Sequence, residues 1–121
     1  MSENGQNFIA GAWCDGQGTI ANINPSDLSD QIGHYAQADS AQLDSALDAA
    51  RTAQKKWAAT GLEARQTILM NIGNELMERR VELGTLLSRE EGKPLAEGVG
   101  EIYRAGQFFT YYAAEVLRQI G

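Results

Sequence analysis

Near Ala38-Asp39 the hydrophobic period of the chain changes from two to about 3.6. A fold of one element type is thereby excluded: strands come first and helices follow. In the first part, Asn7-Phe8-Ile9-Ala10, Gly11 and Ala12-Trp13-Cys14 read as a β-hairpin turning at Ala10-Gly11, ahead of the glycine-containing turn Asp15-Gly16-Gln17-Gly18. Thr19-Ile20-Ala21-Asn22-Ile23 and Gln31-Ile32-Gly33-His34-Tyr35-Ala36 read as a second pair of strands. Between them, Asn24-Pro25-Ser26-Asp27 favours a turn, because proline restricts φ and short polar side chains bond to nearby backbone.

Three long amphipathic helices are expected after the boundary. Asp39 with Gln42 three residues on forms a capping-box pattern, followed by the apolar stripe Leu43, Ala46, Leu47, Ala50 and Trp57, with a stop near Thr60-Gly61. Thr60 with Glu63 repeats the pattern for a second helix, whose stripe is Ile68, Leu69, Ile72, Leu76, Leu83, Leu86 and Leu87. Gly92 and Pro94 supply its stop. Pro94 then sits in the first turn of a third helix, where a missing N–H is tolerated. Its stripe runs Leu95, Val99, Ile102, Gly106, Phe109, Ala113, Val116 and Ile120, still periodic at Gly121, which reads as an interrupted chain.

The chain has 121 residues, enough for about one domain. Ten lysines and arginines stand against 16 aspartates and glutamates, a formal charge of −6, so a nucleic-acid partner is not expected. No uninterrupted apolar run approaches bilayer length, and no membrane association is expected. Met1-Ser2-Glu3-Asn4 lacks the basic start and apolar middle of a signal peptide, and a single cysteine forms no internal disulfide. A reducing, cytoplasmic location fits.

Few residues carry a local signature of chemistry. Gly16-Gln17-Gly18-Thr19-Ile20-Ala21 formally matches G-x-G-x-x-A, but a pyrophosphate site needs a helix N-terminus next, and here a β-prone run follows; the stretch reads as a glycine turn. Cys14 sits in the hairpin beside Trp13 with no base at a telling distance, and reads as a half-buried small residue rather than a nucleophile. His34, alone in a strand, reads as a strand residue. The charged groups Glu78/Arg79/Arg80/Glu82 and Arg89/Glu90/Glu91 read as solvated helix faces.

Particular strings say more than periodicity. Asn7-Phe8-Ile9-Ala10-Gly11-Ala12-Trp13, Asn24-Pro25 followed by Ile32-Gly33, Ala49-Ala50 leading to Trp57, and Glu90-Glu91-Gly92-Lys93-Pro94-Leu95-Ala96-Glu97 together resemble the N-terminal region of the NAD(P)-dependent aldehyde dehydrogenase superfamily. The similarity runs from Asn7 to Gly121. Within the superfamily, Ile23 to Asp27, Leu86 to Lys93 and Gly100 to Gln107 look most like α-ketoglutaric semialdehyde (2,5-dioxovalerate) dehydrogenases, while succinate semialdehyde dehydrogenases share Gly-Lys-Pro-Leu-Ala-Glu.

The resemblance implies an α/β, Rossmann-type family fold, of which residues 1–121 would be the N-terminal part of the nucleotide-binding domain: β-hairpins over 1–38 and a helical layer over 39–121. It also implies a mechanism: a cysteine thiolate attacks the aldehyde, an amide-lined hole holds the oxyanion, hydride passes to NAD(P)+, and a glutamate assists hydrolysis of the thioester. In the family these residues and the cofactor site come later in a longer chain. The segment alone is therefore expected to be inactive, to bind NAD or NADP weakly at best, and to associate with the remainder of its own chain or homologous subunits, in a homo-oligomer. A free-standing helical interaction module is the alternative.

Two family features map onto residues here. Some members bind a structural monovalent cation through oxygens at positions matching Asn22 and Glu90, a chemistry that suits hard cations. One wall of the family's substrate tunnel comes from the helix after Gly-Lys-Pro, where Gly100 and Arg104 match tunnel-facing positions one turn apart. A guanidinium at Arg104 suits bidentate binding of a distal carboxylate, with Gly100 making room.

Overall fold

The change of period is also where the backbone changes. In the computed structural model, which describes residues 3–118, the strands are β1 (Glu3–Gly5), β2 (Asn7–Ile9), β3 (Ala12–Cys14), β4 (Gly18–Ile23) and β5 (Gln31–Gln37). The helices are α1 (Ser40–Ala58), α2 (Leu62–Glu78), α3 (Arg80–Glu91) and α4 (Leu95–Val116). The chain divides into two compact units, Met1–Ala59 and Thr60–Gly121, so α1 belongs with the strands.

In the first unit β2 and β3 form the expected hairpin, pairing Asn7 with Cys14, Phe8 with Trp13 and Ile9 with Ala12. Ala10 and Gly11 both lie at positive φ, 54° and 84°, as a two-residue type I′ connection requires. Glycine accepts this freely, whereas Ala10 carries strain. The Phe8 and Trp13 rings meet across the hairpin with centroids 4.8 Å apart. β4 and β5 pair antiparallel, and β1 adds in parallel on the far edge of β5. The short, polar β1 carries no β-prone run, so periodicity gave no sign of it. Between β4 and β5 the Asn24 side chain accepts from Ser26 N at 2.9 Å and the Asp27 carboxylate accepts from Ser29 N and Oγ, the local bonding these residue types favour.

Asp39 caps α1 as expected: its Oδ1 accepts from Gln42 N at 2.7 Å. The other half of the capping box is absent, because the Gln42 side chain turns to the hairpin, donating to Asp15 O at 2.9 Å and accepting from Asn7 Nδ2 at 2.8 Å. Asp39→Ala is expected to lower stability by about 1 kcal/mol, read as a fall in melting temperature by circular dichroism. The α1 stripe does not face a core: Leu43, Leu47 and Trp57 are exposed, and no α1 residue is buried.

In the second unit the single helix expected from Thr60 to Gly92 is two. Gly61, not Thr60, is the N-cap of α2, and Arg79 (φ −89°, ψ 13°) interrupts the helix between α2 and α3. The Arg79 guanidinium spans the break, bonding Glu75 at 3.0 Å and Glu82 at 2.8 Å, while Arg80 donates to Met77 O. These bonds hold Arg79 protonated far above its ordinary range and push the Glu82 carboxyl down. The apolar spacing conceals the break because the packing register against α4 survives it. Met77 meets Gly106 and Gly84 meets Val99, the same number of residues apart on each side.

The α2/α3–α4 seam is a close approach at glycines, where backbone and side-chain atoms of the facing helix fill the space a Cβ would take. Gly73, Gly84, Gly98 and Gly106 are buried, with Ala113 and Ser88. A Cβ at Gly84 would lie 2.6 Å from Val99 Cα, and one at Gly73 would lie 2.9 Å from Gly106 O. Gly92 ends α3 in the left-handed region (φ 69°), as expected, and its N–H bonds Ser88 O. Pro94 is the N-cap of α4, one residue earlier than the expected first turn. Val99, Ile102, Phe109 and Val116 face inward, but Leu95 is exposed. α4 ends at Val116 with Leu117 as C-cap, so the helix does not run unbroken to Gly121; Ile120 of the expected stripe lies outside the described residues.

Candidate functional site

The seam leaves the opposite face of α4 outward, and this is where Gly100 and Arg104 stand. A Cβ at Gly100 would meet nothing within 4 Å, and the Arg104 guanidinium carbon lies 6.0 Å from the Phe108 ring centroid. Arg104, Gln107, Phe108, Tyr111 and Tyr112 line an open depression of about 340 Å³. Phe108, Tyr111 and Tyr112 are each more than half exposed, and the two tyrosine rings meet edge to face at 5.2 Å. An exposed cation set among aromatic faces suits an anion carried on a short organic chain. The inward stripe through Phe109 does not reveal this aromatic face, whose signal in the sequence is a second helical periodicity, Arg104, Phe108, Tyr111 and Tyr112.

At the start of α4 the Gly92-Lys93-Pro94 turn is tied on both sides. Lys93 N bonds Ser88 O at 3.2 Å, and the buried Ser88 hydroxyl donates to Pro94 O at 3.4 Å. Lys93 Nζ lies 2.6 Å from Glu101 Oε1 and also pairs with Glu91. The Glu101 and then the Glu91 carboxylate raise the Lys93 pKa above its usual value. No local spacing announces the Lys93–Glu101 pair, which bridges a turn.

Asn22 lies on β4 opposite Gly33, beside a register shift between Asn22 and Ile23; Glu90 lies in the last turn of α3. They belong to different compact units. Two residues supply fewer oxygens than the six or more that a hard cation commonly takes, so the donor set here is partial. Among the described residues no three His, Cys, Asp and Glu side chains gather to hold a metal ion.

The remaining candidates have structural surroundings. The Gly16–Ala21 stretch runs into β4 rather than a helix: Gln17 N bonds Gln37 O at 3.0 Å, and Gly18 opens the strand. It does not fit a dinucleotide pyrophosphate, which needs a helix N-terminus at this point. Cys14 Sγ donates to Asn7 O at 3.3 Å and is half-buried; His34 pairs with Ala21 in the ladder, its ring 3.4 Å from Gln31 Nε2. No helix among the described residues is long and apolar enough to cross a membrane.

The aldehyde dehydrogenase family model matches residues 13–121. N-succinylglutamate 5-semialdehyde dehydrogenase of Chromobacterium violaceum is 40% identical over 96 residues, 78% of this chain and 20% of that protein. Succinate-semialdehyde dehydrogenase (NADP(+)) GabD of Escherichia coli is 36% identical over 96% of this chain and 24% of its own length. Alpha-ketoglutaric semialdehyde dehydrogenase of Bacillus subtilis is 34% identical over 95% of this chain and 24% of its own length. The narrower resemblance to the last of these therefore does not single it out. A solved variant of 1-pyrroline-5-carboxylate dehydrogenase from Thermus thermophilus superposes with a TM-score of 0.92 at 32% identity, covering 97% of this chain and 23% of that one. The chain thus spans 20% to 24% of the length of these relatives. By sequence and by fold, it belongs to the aldehyde dehydrogenase family.

Proposed function

We propose that residues 1–121 are the N-terminal part of the nucleotide-binding domain of an NAD(P)-dependent aldehyde dehydrogenase that oxidises a carboxylate-bearing semialdehyde to the acid. Five-carbon α-ketoglutaric semialdehyde and its shorter relative succinate semialdehyde are the substrates of choice. The observation that carries this reading is Arg104, exposed on α4 above an aromatic depression, with open space at Gly100 one turn away. Its role is to bind the distal carboxylate in a fork of N–H donors and so to orient the aldehyde. The nucleophile, the glutamate and the cofactor cradle are assigned to parts of the enzyme outside these residues. Asn22 and Glu90 are each kept, on the resemblance, as a candidate oxygen donor to a structural monovalent cation.

The exposed apolar residues of both units, among them Phe8, Trp13, Leu43 and Leu47 in the first and Phe108 and Tyr111 in the second, support a scaffolding role in which further parts of the enzyme or homologous subunits cover them. A cytoplasmic homo-oligomer is the setting this reading takes. The test is an aldehyde panel, followed by NAD(P)H formation, with the chain joined to a family catalytic region. A charged hydrogen-bonded pair contributes about 1.5–3 kcal/mol, so kcat/KM for succinate or α-ketoglutaric semialdehyde is expected to exceed that for propionaldehyde by about ten- to a hundredfold. Preference for the apolar aldehyde overturns the assignment.

A further inference from the structure

We propose that Lys93 is a positioning residue for substrate choice: by holding the Glu101 carboxylate, it keeps Arg104 clear of its one acidic helical neighbour and open to a carboxylate-bearing aldehyde. The inference rests on the reading of Arg104 above and adds a residue that never touches the substrate.

On a helix, a side chain meets those three and four positions away. For Arg104 these are Gly100, Glu101, Gln107 and Phe108, of which Glu101 alone is acidic. Left to itself, Glu101 would form an ordinary i,i+3 ion pair with Arg104 and compete with an incoming carboxylate for the same N–H donors. Instead Lys93 Nζ takes Glu101 Oε1 at 2.6 Å. The Lys93 side chain is 17% exposed, and its second carboxylate is Glu91. Arg104 is left over the Phe108 ring, and among the described residues no carboxylate pairs with it.

The competition has a predictable winner. A lysine withdrawn from water needs its carboxylates, because losing one leaves a poorly solvated charge, whereas an exposed helical ion pair gains little. The carboxylate therefore stays with Lys93, whose raised pKa is the same interaction seen from the proton.

In the complete enzyme containing this chain, Lys93→Met is expected to raise KM for succinate semialdehyde roughly two- to fivefold, the range of an exposed ion pair, leaving kcat and both constants for propionaldehyde unchanged. Adding Glu101→Gln is expected to restore KM, which a general disturbance of the turn would not allow. Glu91→Gln, which perturbs the same turn without releasing Glu101, is expected to leave KM unchanged and keeps the test open if Lys93→Met folds poorly. In the 121-residue chain, heteronuclear NMR of the Arg104 Nε–H is expected to show slowed hydrogen exchange in Lys93→Met and recovery in the double variant. An unchanged Arg104 signal, a KM rise that survives Glu101→Gln, or an equal rise in Glu91→Gln overturns the proposal. So does an Arg104 signal that responds as described while KM stays put. In that case Arg104→Leu separates the causes: retained loss of acidic substrate faults Lys93 alone, and no loss faults the reading of Arg104.

Discussion

Gly84→Val is expected to take apart the α3–α4 packing and lower stability by about 3 kcal/mol or more. The reason lies in which atoms a side chain would meet. At Gly84 a Cβ would fall 2.6 Å from Val99 Cα and 2.7 Å from Val99 N, backbone atoms that cannot turn aside, so one helix must move off the other. At Gly106 a Cβ would meet Met77 Cγ at 2.5 Å, on a flexible side chain, and the nearest backbone atom is Gly73 O at 2.9 Å, so Gly106→Ala is expected to destabilise, but by less than Gly84→Val. For a chain of this size each kcal/mol lowers the melting temperature by roughly 5 °C, so Gly84→Val should melt about 15 °C lower, or not fold. Thermal denaturation followed by circular dichroism reads it. A melt like that of the parent chain would mean that α3 and α4 do not approach at Gly84.

The second large effect is on selectivity. In the complete enzyme, Arg104→Leu is expected to raise KM for an acidic semialdehyde by about ten- to a hundredfold, the range of a charged hydrogen-bonded pair, while KM for propionaldehyde changes by less than about twofold. Arg104→Lys should recover part of the loss, because the charge remains and the planar fork does not. Steady-state kinetics on the two aldehydes decide it. Equal rises for both would make Arg104 a structural residue and remove the argument for a carboxylate-bearing substrate. Gly100→Ala is a useful companion, because open space around Gly100 predicts no cost to this unit's packing.

How much of this was legible beforehand depended on whether the determinant was local. The Ala10-Gly11 turn, the Asp39 cap and the Gly92 stop each use a backbone need that one or two residues meet, and all three are where the sequence places them. The division at Arg79 was not legible, since a one-residue departure leaves the apolar register against α4 intact. The α1 stripe misled for another reason: periodicity says that Leu43 and Leu47 share a face and is silent on what covers it. At the site, Arg104 and Gly100 came from resemblance, and α4 does turn both outward. The Lys93–Glu101 pair is hidden because it spans a turn rather than a helix face, and the aromatic surround because it lies on the face of α4 opposite the apolar stripe that marks the core.

The glycine seam has a bearing on how such an enzyme could change its diet. Because α4 packs on α2 and α3 through the buried glycines and the inward side chains beside them, the exposed Arg104 takes no part in that seam. Chemistry at that position is then interchangeable: a new residue inherits the same address without renegotiating the scaffold. If Arg104 acts as proposed, a fold that separates address from identity in this way would let acidic, polar and apolar aldehydes be exchanged at one helix by single substitutions.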